Sequence, residues 1–576
     1  MISRLRFLSL LFFFGFMALI CRLFYWQVYK GKELSIQARG QYASGETISA
    51  FRGDILASDG TWLVASSEAW LVYASLPKIE EESKKIAEKL APFFVEKENN
   101  NNKGEYQEKL LIEIDRLEVL LSRDDVVWVP LKHKINGDTK LNIMALDIVG
   151  IGFEQQETRA YPESSNAAHL LGFVGKNNDG NDQGYFGLEG FYELSLTGKP
   201  GFVSREADAR GVPILLGNSK EITAIGGVDL LTHIDKAIQI TAERKLIDGI
   251  EKYGAVAGSV IIMEPNEGGI LAMSAYPSYD PEEYWAYGDE YFRNQTVSSS
   301  FEPGSIFKVL IMASALDAGV IEMDTKCDIC NGPFRIDKYS IETWDGKYRP
   351  DSSMAEIIVN SDNVGMVFVG QKLGIEKTYK YLKDFGIGEI TGIDLQGEAS
   401  PHLRKEKDWS SVDLATASFG QGIATTPIQM LTAVTAIAND GQFVVPQVVD
   451  KLVGKGWEED IKPVFGEQVI SKKSASEITA MMAEAAKNGE AKWTHSRGFK
   501  VAGKTGTAQI PIAGHYDDEK TIASFVGFAP YDDPKFVMLV TLQEPGTSPW
   551  ASETAAPLWY SIAKDLFMYF GIQPEN

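Results

Sequence analysis

Cysteine is scarce. The 576-residue chain has three, Cys21, Cys327 and Cys330, too few for a disulfide framework. Cys327-Asp328-Ile329-Cys330 could bind zinc only with two further ligands, and no second CxxC exists. The pair reads as a local disulfide or as two buried thiols; a redox role lacks the thioredoxin-like βαβ surroundings it needs. Basic charge is short as well. Lysine and arginine number 56 against 79 acidic residues, a net charge of −23, which argues against a nucleic-acid binder with its basic surface. The histidines, at 133, 169, 233, 402, 495 and 515, are scattered and take no catalytic role. There is no GxSxG elbow, HExxH or GxGxxG.

Long apolar runs are limited to one stretch able to span a bilayer, residues 5–28, LRFLSLLFFFGFMALICRLFYWQV. Arg6 and Arg22 bracket a centre slightly short for a span. Residues 23–28 lengthen it, with Arg22 snorkelling and Tyr25 and Trp26 at the interface. No A-x-A site follows promptly, and bulky Ile20 precedes Cys21. The stretch therefore reads as an uncleaved anchor rather than a signal peptide or lipoprotein leader. Arg4 and Arg6 favour an inside N-terminus, whereas Arg22, Lys30 and Lys32 lie on the other side.

A chain this long has a prior of roughly three or four domains. Residues 51–67 alternate around two turn signals and predict β-structure. Residues 79–94 and 106–121 predict amphipathic helices, separated by the low-complexity loop KENNNNKGE. Short strands follow at 148–162, a long turn at NNDGNDQG and a helix at 188–196. No cluster in this region suits catalysis, so it reads as a spacer or docking platform. Residues 224–227 mark a boundary. Beyond it come a strand at 228–234, a helix at 235–253 with Ile238, Ala242, Leu246 and Ile250 on one stripe, and a hairpin at 257–275. Strands at 499–510, 522–529 and 536–542 precede a closing helix at 554–569. Strands at both ends of this region predict an antiparallel sheet built from its two termini, with a mainly helical insert. The fold class is α+β.

Residues 301–310, FEPGSIFKVL, place Ser305 and Lys308 one helical turn apart, in a helix apolar on every side. A serine hydroxyl is a poor nucleophile until a base takes its proton. A desolvated lysine can do so, because burial disfavours its charge. S-x-x-K alone is weak, with about two expected by chance in such a chain, and Ser75–Lys78 and Ser561–Lys564 also match. Two other motifs decide between them: Ser361-Asp362-Asn363 and a single Lys504-Thr505-Gly506-Thr507. Ser75–Lys78 contains Pro77, Ser561–Lys564 follows K-T-G, and the rival Ser164-Ser165-Asn166 lies far upstream. S-x-x-K, S-D-N and K-T-G in this order are the signature of penicillin-binding proteins and class A β-lactamases.

With further matches, the chain resembles a class B penicillin-binding protein, a monofunctional peptidoglycan D,D-transpeptidase, over nearly its whole length. RGDIL…DG at 52–60 is similar to the family's R-G-x-I-x-D-R-N-G, although Ala57, Ser58 and Asp59 replace the usual Asp, Arg and Asn. RAYP (159–162), AHLLGFV (168–174), GLEGFYELSLTGKPG (187–201), PSYDP (277–281), Arg293-Asn294, FGIGEITGIDLQG (385–397), SFGQGIATTP (418–427) and SFVGFAP (524–530) follow in family order. Ile306 stands where Thr or Val is commoner. The resemblance implies an anchor over 1–30, a pedestal or dimerisation domain over 31–225 and a penicillin-binding transpeptidase domain over 226–572.

It also implies roles. Ser305 attacks the carbonyl between the terminal D-alanines of a stem peptide, Lys308 takes its proton, and Lys504 lowers the pKa of Lys308 by repulsion. Ser361 relays a proton to the leaving amine, and Asn363 donates to the substrate or to Lys308. Lys504, Thr505 and Thr507, with Gly506 between them, bind the substrate carboxylate, and the N–H groups of Ser305 and Thr507 form an oxyanion hole. No cofactor or metal is implied. Implied partners are peptidoglycan stem peptides, β-lactams as inhibitors, and a SEDS-family glycan polymerase with other division or elongation membrane proteins. The implied site is the inner membrane, with the N-terminus cytoplasmic and the catalytic domain outside. SFVGFAP…EPG resembles the division type over the elongation type. The alternatives are a D,D-carboxypeptidase, a β-lactam sensor and a silent scaffold. A β-lactamase would need an E-x-x-L-N after Ser361, which is missing.

Overall fold

The computed structural model describes residues 2–30, 43–48, 50–95, 103–162, 166–206, 219–512 and 515–575. The asparagine run of the predicted polar loop and the serines of the upstream S-x-N lie outside them. The chain forms two compact units, Met1–Arg52 with Thr197–Gly227, and Gly53–Leu196 with Val228–Asn576.

In the first unit the helix Ile2–Phe24 runs into a π-turn at Tyr25–Tyr29. Leu10–Tyr29 is long and apolar enough to cross a membrane. Arg22, the cation that interrupts it, lies 5.3 Å from the Trp26 ring centroid, where an aromatic face shields its charge. The unit also holds a three-stranded antiparallel sheet with Gly201–Glu206 between Ala43–Ile48 and Ser219–Ile222.

The second unit begins with the pedestal. Its spine is the strand Trp62–Ser75, which extends beyond the predicted β-region and pairs with Trp128–Ile135 and Ile151–Ala160. The short strands predicted at 148–162 are thus one continuous strand. The helices Ser83–Phe94 and Lys103–Leu121 cover this sheet, burying Ile86, Leu90, Leu117 and Leu121 with Val72 and Leu131. The single helix predicted at 188–196 is two, Gly187–Phe191 and Glu193–Leu196, broken at Tyr192, whose hydroxyl donates to Asp394 Oδ2 at 2.9 Å. Arg159 of RAYP meets Glu189 of GLEG at 2.7 Å, with both side chains almost wholly buried.

The catalytic part opens with helix α1 (Lys236–Tyr253), capped by Asp235, whose carboxylate accepts from the N–H groups of Ala237 and Ile238. Strands β1 (Ala257–Met263) and β2 (Ile270–Tyr276) are the predicted hairpin. The insert contains α2 (Lys308–Asp317), α3 (Met354–Val359), α4 (Asn363–Leu373) and α5 (Lys472–Asn488). The chain returns as β3 (Ala502–Ile512), β4 (His515–Ala529), β5 (Phe536–Gln543) and α6 (Ala555–Tyr569). The antiparallel sheet has the order β2-β1-β5-β4-β3, so the two ends of the domain meet where β1 pairs with β5.

Alternation divides the sheet's faces. Val260, Ile262, Met538 and Val540 pack with the predicted stripe of α1 and with Trp559 of α6. Ile261, Met263 and Leu539 pack with the helical insert. Helix α2 is buried on nearly every side, as its composition predicts. The edge strand β3 carries K-T-G.

Candidate active site

Pro303 and Gly304 turn the chain, and Gly304–Phe307 is a 3-10 turn from which α2 starts at Lys308. The helix predicted to open at Ser305 thus begins with a tighter turn. Residues three apart eclipse one another in a 3-10 turn, so Ser305 and Lys308 still share a side. Ile306 is fully buried, and a Cβ on Gly506 would stand 2.9 Å from its Cγ2 and 3.0 Å from Pro303 O. Glycine at the centre of K-T-G is therefore what lets β3 approach the serine turn. On another side Gly304 N donates to Gly420 O at 3.0 Å. A Cβ on Gly420, whose φ is +82°, would fall 2.1 Å from Gly304 O. SFGQG is packed backbone to backbone on the same turn.

Ser361 ends α3 in the left-handed region, with φ 53°. Its N–H returns to Ile358 O at 3.2 Å, and Asp362 N donates to Ile357 O at 2.9 Å. Asp362 then caps α4 by accepting from Gly365 N at 3.0 Å. S-D-N is the corner between two buried helices, which hold a backbone conformation that serine alone disfavours.

Lys308 is fully buried. Its Nζ donates to Ser361 O at 2.7 Å, to Asn363 Oδ1 at 2.7 Å and to Ser361 Oγ at 3.3 Å. The expectation that Asn363 donates to Lys308 is corrected: its oxygen accepts, and its Nδ2 donates away to Glu342 O at 3.0 Å. An ammonium offers only donors, so only the oxygen end of the amide can face it. Lys504 Nζ donates to Ser361 Oγ at 3.0 Å, Thr505 O at 3.0 Å and Thr505 Oγ1 at 3.2 Å. The Ser361 hydroxyl therefore lies between two amines. Burial, then the Lys504 ammonium, pushes Lys308 down to about 7, while Glu490 and Asp362 act in the opposite sense. Burial also lowers Lys504, with Glu490 opposing.

A cleft of about 80 Å³ is lined by Ser305, Ser361, Asn363 and Thr507. Lys308 and Lys504 lie beneath these groups and reach them through Ser361, and Gly506 sits against Ile306. Of the three side chains assigned to the substrate carboxylate, only Thr507 lines the cleft, and its Oγ1 accepts from Ala551 N at 3.0 Å. Thr505 Oγ1 instead donates to Glu490 Oε2 at 3.0 Å. Glu490, Trp344 and Trp550 line the cleft without having been singled out from the sequence. Each stands in a stretch with no motif around it, whereas Phe419 and Gln421, also in the lining, belong to SFGQG. Cys327 and Cys330 are buried and disulfide-bonded, which decides between the two readings of that pair. Ser75 ends a pedestal strand, and Ser561–Lys564 lies within α6 behind the sheet, so neither rival S-x-x-K enters the cleft.

Comparison with known proteins identifies the family and the fold. The penicillin-binding protein transpeptidase domain matches residues 258–567, and the penicillin-binding protein dimerisation domain matches residues 47–232. The chain belongs to the penicillin-binding protein transpeptidase family, with the two-domain arrangement of its class B members. Stage V sporulation protein D of Bacillus subtilis is 31% identical, over 100% of this chain and 87% of its own length. The probable peptidoglycan D,D-transpeptidase PenA of Neisseria meningitidis is 27% identical, over 97% of this chain and 92% of that one. Among solved structures, penicillin-binding protein 2X of Streptococcus thermophilus aligns with a TM-score of 0.74 at 26% identity, covering 92% of this chain and 83% of that one. A peptidoglycan synthetase from Bifidobacterium adolescentis aligns with a TM-score of 0.72 at 25% identity, covering 93% and 98%.

Proposed function

We propose that the chain is a peptidoglycan D,D-transpeptidase that cross-links stem peptides through an acyl ester on Ser305. One observation carries this reading. Two hydrogens of Lys308 Nζ are engaged at 2.7 Å by oxygens that only accept, Ser361 O and Asn363 Oδ1. When Lys308 is neutral, its lone pair is left for a hydroxyl proton. Ser305 Oγ attacks the carbonyl between the terminal D-alanines, and its proton passes to Lys308. The C–N bond breaks, and the departing D-alanine amine takes a proton by way of Ser361. The N–H groups of Ser305 and Thr507 hold the oxyanion, a donor of this kind being worth roughly 3–4 kcal/mol. The amine of a second stem peptide then attacks the ester, an amide forms and Ser305 regains its proton. Thr507, backed by the Lys504 charge, receives the substrate carboxylate.

The apolar N-terminal helix is the single-pass anchor, with the N-terminus in the cytoplasm and the catalytic part outside. The Cys327–Cys330 disulfide fits that oxidising side. Residues 31–225 form the pedestal that docks a SEDS-family glycan polymerase, and residues 226–572 the transpeptidase domain. The role is septal synthesis in division, with lateral elongation as the second reading. A fluorescent penicillin labels the wild type and not Ser305→Ala; labelling that persists in the variant overturns the nucleophile. Depletion that gives filaments supports division, whereas rounded cells support elongation.

A further inference from the structure

Two indoles meet across the mouth of the cleft. Trp344 belongs to the wall that carries S-D-N: its Nε1 donates to the carbonyl of Asn360, the residue before Ser361, at 3.0 Å. Trp550 belongs to the opposite wall, in the turn after β5, and the next residue, Ala551, donates its N–H to Thr507 Oγ1 at 3.0 Å. The ring centroids are 5.6 Å apart and the planes are inclined at 56°. Both indoles line the cleft with Ser305, and they stay 46% and 42% exposed. Each is held to its own wall by a bond at or next to a cleft group, and among the described residues only ring contact joins the two indoles. The rings can part at the mouth while Lys504 Nζ, donating to Ser361 Oγ at 3.0 Å, still ties the walls together below.

We propose that Trp344 and Trp550 form an aromatic clamp that determines which acceptor resolves the acyl-enzyme. The proposal rests on the reading of Ser305 as the acylated nucleophile. The Ser305 ester has two fates. Water adds to its carbonyl and the ester C–O bond breaks, giving a free acid and the serine hydroxyl. An amine adds in the same way, giving an amide and the same hydroxyl. Apolar ring faces over a small cleft exclude water from the ester. An incoming stem peptide is large enough to lie against both indoles, so its contacts open the pair and close it again around the amine. Water has no such contacts to make. The clamp thus selects aminolysis over hydrolysis, and the two tryptophans are specificity residues.

The test uses the full-length protein loaded with a benzoyl-D-alanyl thioester, which leaves one acylated D-alanine on the enzyme. The donor is removed, and decay of the acyl mass is followed in buffer without amine. Trp550→Ala decays roughly tenfold faster than wild type, whereas Trp550→Phe, which keeps a ring face, stays within about twofold. Trp550→Leu, bulky but without the ring, serves if the alanine variant does not fold, and also decays several-fold faster. With nascent glycan strands, the ratio of cross-linked dimer to trimmed tetrapeptide falls in the fast-decaying variants. Penicillin labelling reports folding and a competent Ser305. Wild-type decay in a Trp550→Ala or Trp550→Leu protein that still takes up penicillin overturns the clamp and leaves the nucleophile standing. Labelling that survives Ser305→Ala overturns the nucleophile, whatever the tryptophan variants do.

Discussion

Lys308 Nζ donates to the main-chain oxygen of Ser361 at 2.7 Å, across 53 residues of sequence. A carbonyl accepts from an amine whether or not the amine is charged, so this bond persists through the protonation cycle the mechanism needs. The left-handed turn at Ser361 is part of the same corner that presents that oxygen. The strain of the turn and the position of the base are therefore one feature.

Lys308→Arg retains the positive charge and loses the base, because a guanidinium does not deprotonate in proteins. Acylation by a fluorescent penicillin should slow by about 10²–10⁴-fold, read as a second-order rate constant. A variant within a few-fold of wild type would show that another group takes the serine proton.

Lys308 is lowered from 10.5 to about 7 by burial and then by Lys504. Acylation should therefore rise with pH through about 7 and level off above it. Below that point folded and unfolded chains both hold the proton. Between about 7 and 10.5 only the unfolded chain holds it. Stability relative to Lys308→Met therefore increases with pH across that window. Lys504→Gln removes the neighbouring cation, so the midpoint of its pH–rate profile should move to higher pH.

Glu490 opposes the lowering of both lysines and accepts from Thr505 Oγ1 at 3.0 Å. Glu490→Gln removes the charge and keeps an acceptor for Thr505. The midpoint of acylation should move to lower pH, opposite to the Lys504→Gln shift. A profile identical to wild type would mean that solvent screens Glu490 from Lys308.

The Arg159–Glu189 pair is buried far from any role in the chemistry, in the pedestal. Glu189→Gln removes the carboxylate bonded to a buried guanidinium and leaves it only the weaker attraction of Asp229, a change that costs up to about 3–5 kcal/mol. The melting temperature should fall, while penicillin acylation by the folded protein keeps its wild-type rate. Equal loss in Arg159→Ala and the double variant would show that the two act as a pair.

Much of the catalytic fold is legible in the sequence, because its signals are local. The stripe Ile238, Ala242, Leu246 and Ile250 marks α1, and the apolar runs around Pro265–Gly269 mark the β1–β2 hairpin. The pedestal is less legible: Trp62–Ser75 continues past its predicted end because pairing with Ile151–Ala160 stabilises residues whose own alternation is weak. The helix predicted at 188–196 breaks at Tyr192, whose hydroxyl goes to Asp394, about 200 residues away. No local pattern carries that contact.

By itself the sequence determined the order and identity of the chemical groups: a serine, a lysine, a second serine, an asparagine and a second lysine, on segments whose periodicity builds a sheet from the domain's two ends. That information is local, since hydrophobic period and motif spacing depend on near neighbours. Tertiary structure decided the rest. It turned the Asn363 oxygen toward Lys308, committed Thr505 to Glu490, joined Cys327 to Cys330 and brought Trp344 and Trp550 together over the cleft. Apart from the disulfide, which spans three residues of sequence, those arrangements depend on how α2, the S-D-N corner and the K-T-G edge strand pack. Packing brings together groups that sequence distance keeps apart.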